Sequence, residues 1–112
     1  MRTSTASQFE GRPARRLTLL MALHDHAGRK GLETEILRRA RKAKLAGATV
    51  FEAIEGFGHS GFLHRSHLVS DDAPLAVVIV DESEKIESFL SSVSDLLSDV
   101  RVVLDDVEIL DL

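Results

Sequence analysis

Two short, almost purely apolar runs constrain this chain more than anything else in it: residues 17–23 (LTLLMAL) and residues 75–80 (LAVVIV). Neither alternates polar with apolar, and both have the length of a strand, so each reads as a strand buried on both faces. Such strands need cover on two sides. Each run is followed by a helical pattern. In residues 32–45, Leu32, Ile36, Ala40 and Ala43 fall on one face, and Gly47 supplies the expected stop. After the second run, Asp81 or Ser83 is the expected cap of a helix that aligns Ile86, Phe89, Leu90, Val93 and Leu97.

Two further strands complete the pattern. Residues 48–57 (ATVFEAIEGF) are rich in β-branched and aromatic residues and alternate. Residues 100–104 (VRVVL) form the last strand, and VEILDL after Asp105 and Asp106 is expected to bend into a short extra strand. Residues 1–14 are polar and aperiodic and read as a mobile tail, leaving residues 15–112 as a single domain. The order β-α-β, long loop, β-α-β predicts an α+β, ferredoxin-like (βαββαβ) fold: a four-stranded antiparallel sheet with two helices on one face. The other face of the sheet is then expected to be buried against further copies of the chain.

Composition narrows the function classes. A chain of 112 residues makes one domain at most. It has no cysteine, which removes disulfides, a thiol nucleophile and thiolate metal sites, and fits a reducing, cytoplasmic setting. No apolar run reaches the ~20 residues that cross a bilayer, and the opening lacks the apolar section of a signal peptide. Residues 1–65 carry 12 basic and 6 acidic side chains, residues 66–112 carry 2 and 12. The basic cluster Arg38, Arg39, Arg41, Lys42 and Lys44 has no aromatic residue for stacking on a base, which speaks against nucleic acid. It reads as a solvated helix face, or as one side of a charge complementarity between the two halves, within one chain or between copies.

The stretch between residues 56 and 74 is dense in Gly, Ser and Asp, reads as a long loop with ribbon-like arms, and contains the chemistry-bearing residues. Gly56-Phe57-Gly58-His59-Ser60-Gly61 spells G-x-G-x-x-G, with Asp81 twenty residues after the last glycine. A dinucleotide fingerprint needs a helix opening at its third glycine, and FLHRSHLVSDDAP supplies none. What remains is a glycine turn or a backbone nest for an anion. His59, His64 and His67, with Asp71 and Asp72 nearby, form a candidate set for zinc, copper or nickel, although spacings of five and three on a loop do not force convergence. His24-Asp25-His26 reads as a polar strand end, and Gly28-Arg29-Lys30-Gly31 as a basic turn able to contact an anion. No nucleophile is paired with a base and an orienting group, so the expectation is a non-enzyme.

One combination is more specific than any of these motifs. Leu45-Ala46-Gly47-Ala48-Thr49-Val50-Phe51, Ile54, Gly56-Phe57-Gly58, His64 and the run DESEKIESFL from Asp81 closely resemble the PII-like domains of unknown function 190, over about residues 16–110. The resemblance implies a ferredoxin-like fold, a homotrimer with its sheets facing inward, and kinship with PII nitrogen regulators and CutA proteins. It also implies an effector loop after the second strand, with Gly56, Gly58 and His64 at its base and body, and a nucleotide cleft between subunits. The PII glycine- and lysine-rich phosphate loop is replaced by Leu97-Ser98-Asp99-Val100, leaving Arg65, Arg101 and Arg29 as the groups to hold an adenine nucleotide (ATP, ADP or AMP) or another small anion. Gly31 stands where the family often places proline. The expectation is a regulatory subunit that binds a small anionic effector near residues 56–67 and reports to a protein partner such as a membrane transporter or channel. Two alternatives stay open: a CutA-like protein binding divalent metal through His59, His64 and His67, and a purely structural oligomerisation module.

Overall fold

The computed structural model describes residues 9–22, 26–27, 30–53, 55–57, 63–65 and 74–112. In chain order the elements are β1 (Arg12–Ala22), β2 (His26–Ala27), β3 (Lys30–Gly31), α1 (Leu32–Lys42), β4 (Thr49–Glu52), β5 (Glu55–Phe57), β6 (Leu63–Arg65), β7 (Pro74–Asp81), α2 (Ser83–Ser92) and β8 (Arg101–Ile109), with a 3-10 turn at Ser94–Leu96. The main sheet runs β4-β7-β1-β8, antiparallel throughout, while β2 pairs with β3 and β5 with β6. This is the ferredoxin-like α+β arrangement, and the two apolar runs occupy its two central strands.

Register decides which side chains meet the helices. Leu17 lies between Ile79 and Leu104, and Leu19 between Val77 and Val102. Leu17, Leu19 and Met21 of β1 and Leu75, Val77 and Ile79 of β7 form the buried floor on which Leu32, Ile36 and Ala40 of α1 and Ile86, Phe89 and Val93 from α2 and its end are packed. Leu90 and Leu97 join at the margin of that core, half-buried. Each large apolar side chain buried there contributes about 1.5–3 kcal/mol. Period two turns the intervening residues to the opposite face: Thr18 between Val78 and Val103, Leu20 between Ala76 and Arg101. That face carries exposed Phe51, Leu20 and Val103, with no helix of the described residues packed on it.

Several boundaries differ from expectation, each for a local reason. β1 begins at Arg12, so residues 12–14 are strand rather than tail, held by pairing with residues 107–109; residues 1–8 lie outside the described residues. Pro13 sits beyond the last β7 partner of β1, where the strand is an edge and tolerates a missing N–H. β8 continues unbent through Asp105 and Asp106 because cross-strand arginines hold both carboxylates: Arg16 reaches Asp105 at 2.6 Å and Arg15 reaches Asp106 at 3.5 Å. The second strand is shorter than expected and gives way to β5 after Ala53. α1 ends at Lys42, before Gly47, because Lys44 turns the chain at φ 60°, donating its N–H to the Arg41 carbonyl.

Neither Asp81 nor Ser83 is the cap of α2, which starts from Glu82 without a side-chain cap. Asp81 instead joins three segments. Its Oδ1 accepts from the Glu82 N–H at 2.7 Å and its Oδ2 from the Ala46 N–H at 2.9 Å, tying the end of β7 to the turn after α1. The residue is 5% exposed. Burial pushes its pKa up, but the two backbone N–H bonds, aided by Lys85 and Arg12, win and hold it below the ordinary 3.8.

Part of the charge asymmetry is balanced within the chain. Arg12 pairs with Asp111, Arg15 with Glu87, Arg16 with Asp105 and Arg39 with Asp95, each joining the basic half to the acidic half. Exposed pairs of this kind are worth about 0–1 kcal/mol apiece. On α1, Arg38 and Arg39 both hold Glu35, and these hydrogen bonds, Arg38 first, lower its pKa to about 2.

Asp81→Asn is expected to destabilise the fold by about 1–3 kcal/mol at pH 7, measured by urea unfolding, because one of the two part-buried backbone N–H groups loses its carboxylate acceptor. A depressed carboxylate contributes stability that is present above its unfolded value of 3.8 and lost as pH falls through the lower folded value. The gap between wild type and variant is therefore expected to narrow at pH 3; an unchanged gap would refute the assignment.

Candidate ligand site at the loop base

The candidate site residues fall into three groups. Gly58, His59, His67 and Arg29 lie outside the described residues, as do His24, Asp25, Asp71 and Asp72. Gly56, His64 and Arg65 belong to the β5–β6 ribbon, which is the ribbon-armed loop expected from the sequence. Its register sets Gly56 opposite His64, Glu55 opposite Arg65 and Phe57 opposite Leu63. The glycine and the histidine that carry the family resemblance are thus cross-strand neighbours. The loop is closed at its base by the Ala53 N–H, which donates to the Pro74 carbonyl at 2.9 Å where β4 ends and β7 begins.

Arg101 lies elsewhere. It opens β8 opposite Leu20, in a row that runs Phe51, Ala76, Leu20, Arg101 across the open face. Three strand spacings separate the two ends of that row, about 14 Å. The ribbon therefore leaves the sheet on the β4 side while Arg101 stands on the opposite edge, and one chain does not bring them together. The segment from Leu97 to Val100 is a tight turn closed by the Val100 N–H on the Leu97 carbonyl at 3.1 Å. It exposes Asp99 and offers neither a glycine nor a lysine to a phosphate.

A feature that sequence reasoning missed lies at the turn between α1 and β4. Leu37, Ala40, Arg41, Leu45, Ala46, Gly47 and Ala48 line a hollow of about 350 Å3. Asp81 holds its wall in place through Ala46, and a Cβ on Gly47 would meet nothing within 4 Å. The signal was the pairing of Leu45–Ala48 with Asp81, read in the sequence as a family mark and a helix stop. Only the fold shows that the two are hydrogen-bonded. At the other end of α1, Gly31 has φ −59° and ψ 144°, values that proline adopts readily, so the glycine there is not demanded by the backbone.

Among the described residues no group of three or more His, Asp or Glu side chains converges as a metal site. Two of the three histidines of the metal reading, His59 and His67, are outside those residues. Among the described residues no helix is long and apolar enough to cross a membrane.

Comparison with known proteins places this geometry. Residues 14–109 match the model of the DUF190 family, described as "Uncharacterized ACR". A UPF0166 protein of Aquifex aeolicus (strain VF5) is 37% identical over 77 residues, covering 67% of this chain and 72% of that protein. Among solved structures, the chain is similar to CPII, a nitrogen regulatory PII-like protein from Thiomonas intermedia K12 bound to ADP, AMP and bicarbonate, at 16% identity and a TM-score of 0.68, covering 90% of this chain and 92% of that one. It is also similar to CutA from Synechococcus elongatus PCC7942, at 9% identity and a TM-score of 0.60, covering 95% and 87%. At such identities these two likenesses concern the fold. The family match spans the sheet but for the first two residues of β1, both helices and the loop motif, and the chain belongs to the DUF190 family.

Proposed function

We propose that this chain is the subunit of a PII-like, homotrimeric cytoplasmic regulator without catalytic activity. It binds a small anionic effector, an adenine nucleotide first among the candidates, at the base of the 56–67 loop and passes the signal to a protein partner. One arrangement carries the reading: the loop base and Arg101 stand at opposite edges of a sheet whose open face is apolar. Phe51 at 57% exposure, Leu20 at 40% and Val103 at 41% are the residues a soluble subunit would bury against a neighbour. A head-to-tail ring of such subunits sets one subunit's β8 edge beside the next subunit's β4 edge, so that Arg101 approaches the neighbouring ribbon that carries Gly56, His64 and Arg65. A site of that kind is complete only between copies.

The ligand class follows from the basic groups and from the similar CPII protein, whose structure contains ADP, AMP and bicarbonate. Because the 97–100 turn has no phosphate-gripping lysine, the anion depends on arginine, and binding weakens as salt rises. The partner class implied by the family resemblance is a transporter or channel.

Light scattering after size exclusion is expected to give a mass near three times 12.3 kDa for wild type and one times that mass for Phe51→Glu. ADP or AMP at 100 times its dissociation constant is expected to stabilise the wild type by about 2.7 kcal/mol in thermal unfolding. Arg101→Ala is expected to lose most of that shift at equal mass. A monomeric wild type, or a trimer indifferent to ADP, AMP and bicarbonate, would overturn the reading.

A further inference from the structure

Two charged pairs follow the open-face alternation of β1: Arg12–Asp111, near the start of the strand beyond its last β7 partner, and Arg16–Asp105, set further into the sheet and not used by the ligand reading. Arg16 and Asp105 are register partners on β1 and β8, and the guanidinium grips the carboxylate as a fork, Nε to Oδ1 at 3.1 Å and an Nη to Oδ2 at 2.6 Å. Arg15, one residue earlier, turns to the helix side and meets Glu87 of α2, which confirms by alternation that Arg16 belongs to the other face. Around the pair that face is apolar or nearly so. Val80 is its neighbour on β7, Thr18 and Val103 form the next row, and on the other side Ala14, already 2% exposed in the single chain, lies opposite Val107 before the rim at Arg12.

In the single chain the two side chains are 48% and 41% exposed, open to solvent. Covering the face changes that. A guanidinium has five N–H donors, and the fork with Asp105 occupies two. The remaining three lose water when a second copy is laid over the sheet, and a buried donor without an acceptor is costly. The covering surface must therefore present oxygen acceptors at that point and apolar groups around it.

We infer that the Arg16–Asp105 pair is the specificity determinant of the open face: it admits a second copy of this chain, which supplies matching acceptors, and rejects an apolar sheet face that lacks them. The inference rests on the open-face assembly proposed above. A fully apolar face would associate with any similar face, whereas one matched ion pair set in it makes mismatched association unfavourable. The device acts on partner choice and need not add to affinity, since a buried pair seldom exceeds a well-packed apolar substitute.

Three variants test it: Arg16→Met, Asp105→Val and the two combined, each verified as folded by circular dichroism. Either single change leaves one uncompensated charge in the contact, and the expected result is a dissociation constant of the assembly raised about 100-fold or more. The double variant is expected to reassemble at wild-type concentration. Native mass spectrometry of wild type mixed with the double variant is expected to show separate homo-oligomers. Statistical mixing of the two, or single variants that assemble as the wild type does, would overturn the inference while leaving the assembly intact. A wild type monomeric at all concentrations would instead overturn the assembly, and the inference with it.

Discussion

The two central strands carry apolar side chains on both faces, while the two α-helices of the described residues pack on one of them. Everything else follows from that imbalance. On the covered side, Leu17, Leu19, Val77 and Ile79 meet Ile36, Ile86 and Phe89 and supply the core. On the other side the alternation that built the core leaves Leu20, Val103 and Phe51 in water, a surface whose removal from solvent is worth about 25 cal/mol per Å2. In the assembly proposed above, neighbouring subunits cover that surface, and the ligand site is sought between them.

Electrostatics works beside this constraint and does not compete with it. The basic first half and the acidic second half are drawn together along β1 and β8, where Arg12, Arg15 and Arg16 meet Asp111, Asp106 and Asp105. These contacts are weak one by one in solvent. Together they keep a long strand of nine residues straight through two consecutive aspartates that would otherwise favour a bend. Asp81 has the opposite character: a single buried carboxylate, satisfied by two backbone donors, that fixes the turn after α1 against the end of β7. The hollow beside Arg41 owes its wall to that residue.

The candidate site was legible in part. The glycines and the histidine of the 56–67 loop stood out as residue types in an irregular stretch, and the expectation of ribbon arms was met by β5 and β6. Their pairing across that ribbon was not legible, because register depends on how a loop closes, here through Ala53 and Pro74. Arg101 was named as an anion partner from its charge, yet its place at the far edge of the sheet emerges only from strand order. The Leu45–Ala48 segment was visible as a family signature and invisible as a wall, since Ala46 and Asp81 are distant in sequence and joined by one hydrogen bond.

Periodicity and residue type, which are local properties, determined the elements, the α+β class, the order β-α-β twice over and the prospect of an uncovered sheet face. The family was legible by resemblance, because its motif lies in contiguous segments. Tertiary structure alone decided where α1 stops, that β8 runs unbroken, that Asp81 is a tie and not a cap, and that Arg16 and Asp105 form a matched pair on the open face. Each of these rests on a contact between segments far apart in the chain, and such contacts exist only once burial of the two apolar strands has set the register.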